Sequence, residues 1–209
     1  LDEAAVWIAE RFRAAGLVGA FEGRFEQSFD VLVSIAVAPS TALRVDGREL
    51  VVARDFVPSA ASSEGVVKGA TLFAGYGISA PQLGYDDYQG KTANGKVVVV
   101  RRYTPGTGRF ATSDVERRYS DLRYKAWNAR EHGAVALIVV DLPREGKGTE
   151  PSESESALPE LRVETLGDAG ILLVVLKREF GAPLVKGRHR VELCVAFERQ
   201  SKATYNIVG

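Results

Sequence analysis

At 209 residues, 45% of them apolar, the chain is long enough for one large domain, or one domain with attached pieces, and can bury a sizeable core. Its 27 basic and 27 acidic residues cancel, which excludes the basic footprint of a nucleic-acid binder or of a protein drawn to anionic membranes. The single cysteine, Cys194, excludes an internal disulfide framework, and no apolar run approaches the roughly 20 residues of a membrane-spanning helix.

The first residues carry Asp2, Glu3, Glu10 and Arg11 where a signal peptide needs an unbroken apolar stretch. Methionine is absent throughout, position 1 included, so the sequence reads as an excised or processed piece. Ala5, Ile8, Ala9, Phe12 and Ala15 recur at helical spacing and predict a helix over about 2–15, stopped by Gly16. From Phe25 the period becomes two. Phe25, Phe29, Val31, Val33, Ile35 and Val37 fall on one face, opposite Arg24, Glu26, Ser28, Asp30 and Ser34, as in a half-buried strand. Residues 43–50 predict a hairpin turning at Asp46-Gly47, a pair that accepts positive φ angles.

A loop over 55–63 leads through residues 66–69 to a strand at Thr71, and a second, continuously apolar strand follows from Val97 to Tyr103. Between them lie residues 75–90, with four glycines, one proline and three tyrosines, which predict an ordered, aromatic-rich connection. Ser113 and Glu116 have the spacing of a capping box. Val115, Tyr119, Leu122, Ala126 and Ala129 then predict one helix over about 114–132, before a buried strand at 136–141. Strand, helix and strand in this order make a βαβ unit, with parallel strands and a right-handed crossover expected. Residues 145–160, rich in Glu, Ser, Gly and Pro, are expected to form the most mobile loop. A buried strand at 171–176, a short helix or turn at 178–185 and an alternating strand through Val191, Leu193, Val195 and Phe197 complete the chain. Cys194 shares the opposite face with Glu192, and no basic neighbour adjoins it to make the thiol reactive.

The chemistry available is sparse. A zinc site leans on histidine, and only His132 and His189 are present, the second between Arg188 and Arg190, whose charges disfavour a metal ion. No metal-ligand spacing and no Gly-x-Ser-x-Gly nucleophile elbow occurs, so no catalytic or metal residue is assigned. Two stretches mimic a dinucleotide fingerprint. Residues 75–80 run into Pro81 instead of a helix and are discarded. Residues 106–111 do precede a helix, and Asp141 ends the next strand, so nucleotide or anion binding at Gly106 to Ala111 stays as a lesser alternative, with Arg101, Arg102 and Arg109 able to attract an anion.

Taken together, Gly75-Tyr76-Gly77-Ile78-x-Ala80-Pro81, Tyr85-Asp86-Asp87-Tyr88-x-Gly90, Gly95-Lys96-Val97-Val98-Val99-Val100 and Lys125-Ala126-x-Asn128-Ala129-Arg130-Glu131-His132-Gly133-Ala134 resemble the protease-associated (PA) domain. That domain is inserted in secreted zinc aminopeptidases of the glutamate carboxypeptidase and transferrin receptor group. The resemblance implies a mixed α+β fold, a PA-type β-barrel or sandwich with flanking helices, to which the βαβ unit belongs. It also implies a division: residues 1–40 as helix and strand of a peptidase domain, 41–200 as the PA domain, and 201–209 as the start of the return to the peptidase. The family's metal ligands and general base lie beyond that point and map onto no residue here, so this chain holds no cofactor, and two zinc ions are implied only for a full-length enzyme.

The implied function is that of a non-catalytic region beside the cleft of a two-zinc exopeptidase, contributing substrate access, selection or protein interaction. Its partners would be its own C-terminal peptidase domain and a peptide or protein substrate, with no nucleic acid and no membrane span. A secreted, periplasmic or cell-envelope location follows from the resemblance alone. Tyr76, Tyr85, Asp86, Asp87, Tyr88, Arg101, Arg102 and Arg109 are the candidate contacts to peptide or partner. The alternative from another class is a stand-alone PA module that binds peptides without any peptidase.

Overall fold

A computed structural model describes residues 2–106, 108–143, 154–163 and 167–209. The chain divides into two compact units, Leu1–Ala36 with Glu198–Gly209, and Val37–Phe197.

In the first unit, helix α1 (Asp2–Ala14) is followed by strand β1 (Glu26–Val37), which pairs with the last strand of the chain. The helix stops at Gly16, whose φ of 77° suits glycine. Phe12 meets Phe25 edge to face at 5.8 Å, and Gly209 approaches both rings so closely that a Cβ would lie 2.9 Å from each. The strand expected to be half-buried has its apolar row on the outside: Phe29, Val31 and Val33 are 41%, 42% and 54% exposed. A two-stranded ribbon has no second layer to cover that row.

The second unit is an eight-stranded sheet with helices packed on it, its strands lying side by side in the order β3 (Arg48–Leu50), β2 (Ala42–Val45), β11 (Arg190–Val195), β5 (Gly65–Phe73), β8 (Val97–Arg101), β9 (Ala136–Val140), β10 (Leu172–Leu176) and β4 (Phe56–Pro58). Its first strands, β2 (Ala42–Val45) and β3 (Arg48–Leu50), are the hairpin read from Asp46-Gly47, where both residues have positive φ, 49° and 83°. Strand β4 (Phe56–Pro58) lies at the far edge, yet only residues 51–55 separate it from β3 at the near edge. Within that link Val51 donates its amide to Asp55 Oδ2 at 2.8 Å and Val52 bridges to Phe56. The sheet is therefore curled until nearly closed.

Strand β5 (Gly65–Phe73) begins six residues before the expected Thr71, because Val66, Lys68 and Ala70 pair along the solvent face while Val67 and Thr71 turn inward. Two short strands, β6 (Ser79–Ala80) and β7 (Tyr85–Asp86), form a small hairpin inside the 75–90 connection. Strand β8 (Val97–Arg101), then helices α2 (Ser113–Ser120) and α3 (Leu122–Glu131), lead to β9 (Ala136–Val140), which is parallel to β8 from Val97 opposite Ala136 onward. The βαβ unit thus contains two helices where one was expected. Asp121 breaks the helical run: its backbone is extended, with ψ at 127°, and its carboxylate caps α3 by accepting from the amides of Arg123 and Tyr124 at 2.6 and 3.0 Å. Nor does the capping box form. Thr112 is the N-cap of α2 in place of Ser113, and its side chain makes no capping hydrogen bond.

Strand β10 (Leu172–Leu176) extends the parallel set beside β9, helix α4 (Arg178–Gly181) is one turn, and β11 (Arg190–Val195) and β12 (Phe197–Ile207) close the order, β12 pairing with β1. Residues 145–153 of the expected mobile loop lie outside the described residues, and 154–163 have no regular structure. The core sits on β8, β9 and β10, where Val97 to Val100 and Ala136 to Val140 are wholly inaccessible and Ala126 and Ala129 of α3 pack on them. Each fully buried valine or leucine contributes about 1.5–3 kcal/mol. The two ends of this unit are tied side by side: Thr41 Oγ1 donates to Ala196 O at 2.9 Å and accepts from Ala196 N at 3.0 Å, while Ala38 N also donates to Ala196 O.

Candidate functional site

Residues 75–90 leave β5 and return to β8 over an aromatic cluster. Tyr76, Ile78, Ala80, Phe110 and Tyr119 are buried together, with Leu83, Tyr85, Val115 and Tyr124 at the margin. The rings meet edge to face, Tyr85 on Phe110 at 4.9 Å, Phe110 on Tyr119 at 5.8 Å and Tyr119 on Tyr124 at 5.1 Å, geometries that add roughly 0.5–1.5 kcal/mol per pair beyond burial. Gly75 and Gly77 have positive φ, 50° and 69°, and no room for a side chain, since a Cβ would stand 2.1 Å from Asp87 Oδ1 or 2.8 Å from Val100.

The two aspartates of the loop differ in task. Asp87 faces inward and accepts from Tyr76 N at 3.0 Å, Ile78 N at 3.1 Å and the Tyr85 hydroxyl at 2.9 Å. Burial pushes its carboxyl above the ordinary carboxylate range, against the pull of those donors and of the Lys125 charge. Asp86 is exposed and accepts from Ser79 Oγ at 2.8 Å and Tyr88 N at 3.0 Å. Tyr76 and Tyr88 are buried, Tyr85 half-buried. Tyr88 stacks on His132 at 4.1 Å, and burial pushes its phenol upward.

Beneath the loop is a group the sequence reading used only as part of a motif. Lys125 is wholly inaccessible, its ammonium nitrogen donating to Tyr76 O and to Tyr103 O, the latter at 2.8 Å. It ties the tyrosine loop to the segment leaving β8. Burial pushes its pKa down to about 7, with Asp87 opposing. Asn128, one helical turn on, donates to Gly77 O at 3.0 Å. The signal was a lysine and an asparagine on the same face as Ala126 and Ala129, an apolar stripe that polar residues join only with partners.

The three arginines do not converge. Arg101 donates to Pro143 O at 2.8 Å with its guanidinium over Phe73 and Tyr76, Arg102 donates to Ala157 O at 3.3 Å, and Arg109 donates to Gly84 O at 3.0 Å. Asp141 is buried and accepts from Ser156 N at 2.7 Å.

The PA domain family matches residues 48–184, more than half of the chain. The chain belongs to the PA domain family. The chain is similar in fold to an aminopeptidase from Aneurinibacillus sp. strain AM-1, with a TM-score of 0.53 at 15% identity, and to BSAP, a zinc aminopeptidase from Bacillus subtilis, with a TM-score of 0.51 at 18% identity. Each likeness covers 97% of this chain and 40% of the aminopeptidase, so the chain spans well under half the length of these relatives. No curated protein matches it. Among the described residues there is no group of three or more His, Cys, Asp or Glu that could hold a metal ion. Among the described residues no helix is long and apolar enough to cross a membrane.

Proposed function

We propose that the chain is the non-catalytic PA-domain region of a two-zinc exopeptidase of the aminopeptidase kind, bordering the active-site cleft and contributing substrate access, selection or protein interaction. The observation that carries this reading is the extent of the likeness. The family match stops at residues 48 and 184, yet the similarity to two aminopeptidases runs over 97% of the chain, the first unit included. The open apolar rows of that unit support it: Trp7 on α1 is 57% exposed, and Phe29, Val31 and Val33 on β1 form a surface that a peptidase layer would cover. Asp86 and Arg109, both exposed on the 75–90 loop or against it, are the residues best placed to touch peptide, whereas buried Tyr76 and Tyr88 act by holding the loop's shape. Zinc would be held by residues outside this chain, and export to the envelope or medium belongs to the same reading.

The test compares the full-length protein with the isolated chain on aminoacyl-4-nitroanilides. Chelator-sensitive release by the full-length protein and none by the chain is the expected result. Hydrolysis by the purified chain, or a reading frame that stops soon after Gly209 without His-x-Asp and paired acids, overturns it, the second outcome favouring the stand-alone module.

A further inference from the structure

The chain has no net charge, but its cations are not evenly spread. On the solvent face of the sheet, over the paired strands β5 and β11 where β11 begins, a shallow cleft of about 570 Å³ is lined by Lys68, Gly69, Ala70, Arg188, His189, Arg190 and Glu192. Two of its cations are already matched. Lys68 Nζ lies 2.9 Å from Glu192 Oε2. His189 has Nδ1 2.7 Å from Asp46 Oδ2 and Nε2 2.8 Å from Lys186 O. A carbonyl oxygen and a carboxylate both accept, an arrangement that favours a proton on each ring nitrogen, and the bond to Asp46 raises the pKa of His189 above its ordinary value. Arg188 and Arg190 are both exposed, and among the described residues neither guanidinium makes a hydrogen bond or close ion pair, although Lys68, with a smaller contribution from the Arg190 charge, holds the Glu192 carboxyl below the ordinary range.

We propose that this cleft binds an extended acidic peptide segment through Arg188 and Arg190. Arg188 and Arg190 both line the cleft, flanking His189, which carries the pairing with β5 past the start of β11 by accepting from Thr71 N, and residues two positions apart along a strand stand about 6.6–7 Å apart. An extended peptide presents carboxylates at alternate positions with the same repeat, and each guanidinium fork can take one carboxylate through two hydrogen bonds. Ala70, paired with Arg190 across the strands, is small and leaves the space open. Single-stranded nucleic acid has a similar phosphate spacing, but no aromatic side chain lines the cleft to stack a base. The site lies wholly in residues 46–192, and its occupation does not depend on the peptidase reading, because what it does is bind.

The test titrates the protein with a fluorescent peptide of alternating Glu and Ser, the same composition with its Glu residues in one block, an alternating Lys and Ser peptide, and an oligothymidylate. Binding should favour the alternating acidic peptide and fall about tenfold or more in Arg188→Gln/Arg190→Gln. It should fall partly in Arg188→Lys/Arg190→Lys, and not at all in the charge-matched control Arg24→Gln/Lys202→Gln. Amide NMR shifts on binding should centre on Ala70 and residues 188–192, and the same spectra show that each variant is folded. Equal binding by the Arg188→Gln/Arg190→Gln protein, shifts centred elsewhere, or tighter binding of the oligonucleotide each overturns the proposal.

Discussion

Lys125 carries a desolvation cost with a clear pH signature. In the unfolded chain its amine titrates near the ordinary 10.5, whereas in the folded protein burial brings it to about 7. Between those values unfolding takes up a proton, so rising pH favours the folded state, by up to about 1.4 kcal/mol per pH unit. Between pH 7.5 and 9.5 the wild type should gain about 2–3 kcal/mol relative to Lys125→Met in urea unfolding. His189, whose imidazolium is held above the ordinary range by Asp46, loses stabilisation as pH rises, but it does so in both proteins and cancels in the difference. Parallel pH profiles would show that the buried amine keeps its proton. The two loop aspartates separate on the same scale. Asp87→Ala strips three donors of their acceptor and should cost about 2–4 kcal/mol, while Asp86→Ala, at the surface, should cost under about 1 kcal/mol. Equal losses on thermal unfolding would contradict that division of labour. The sequence showed adjacent aspartates among tyrosines and nothing to distinguish them, because which one faces inward is set by the packing of Tyr85 on Phe110.

At the level of elements, legibility followed local chemistry. The Asp46-Gly47 hairpin and the runs at 97–101, 136–140 and 172–176 were readable because turn residues and continuous apolar stretches act over a few positions. The break between α2 and α3 was not, since the apolar positions keep helical phase straight through Asp121 and only its ψ angle and two amide donors reveal a cap. Asp121→Ala should therefore cost about 1 kcal/mol and fray the first turn of α3, seen as faster amide exchange at residues 123–125. Unchanged exchange there would mean that packing of Ala126 and Ala129 alone holds the helix. The first half of strand β5 is hidden in the sequence because Gly65 and Gly69 dilute its pattern. The Arg188 and Arg190 pair was visible in sequence only as an obstacle to a metal, because the cleft beside it is made by a strand more than 100 residues away.

For the whole molecule, the order of assembly follows from which contacts are local. Strands β1 and β12 belong to one ribbon, but residues 38–196 intervene, and closing so long a loop in an open chain is entropically costly. The eight-stranded unit must form first and bring its own ends together at Thr41 and Ala196. Native-state hydrogen exchange should accordingly find β1 and β12 opening at lower free energy than β8, β9 and β10, and equal protection would refute this order.

The pair of hydrogen bonds between Thr41 and Ala196 also makes the unit they close a cassette. Its two ends leave at one point, as the ends of a hairpin loop do. A gene could therefore acquire or lose everything between them by a single insertion or deletion at a turn, without lengthening or redirecting the strands on either side.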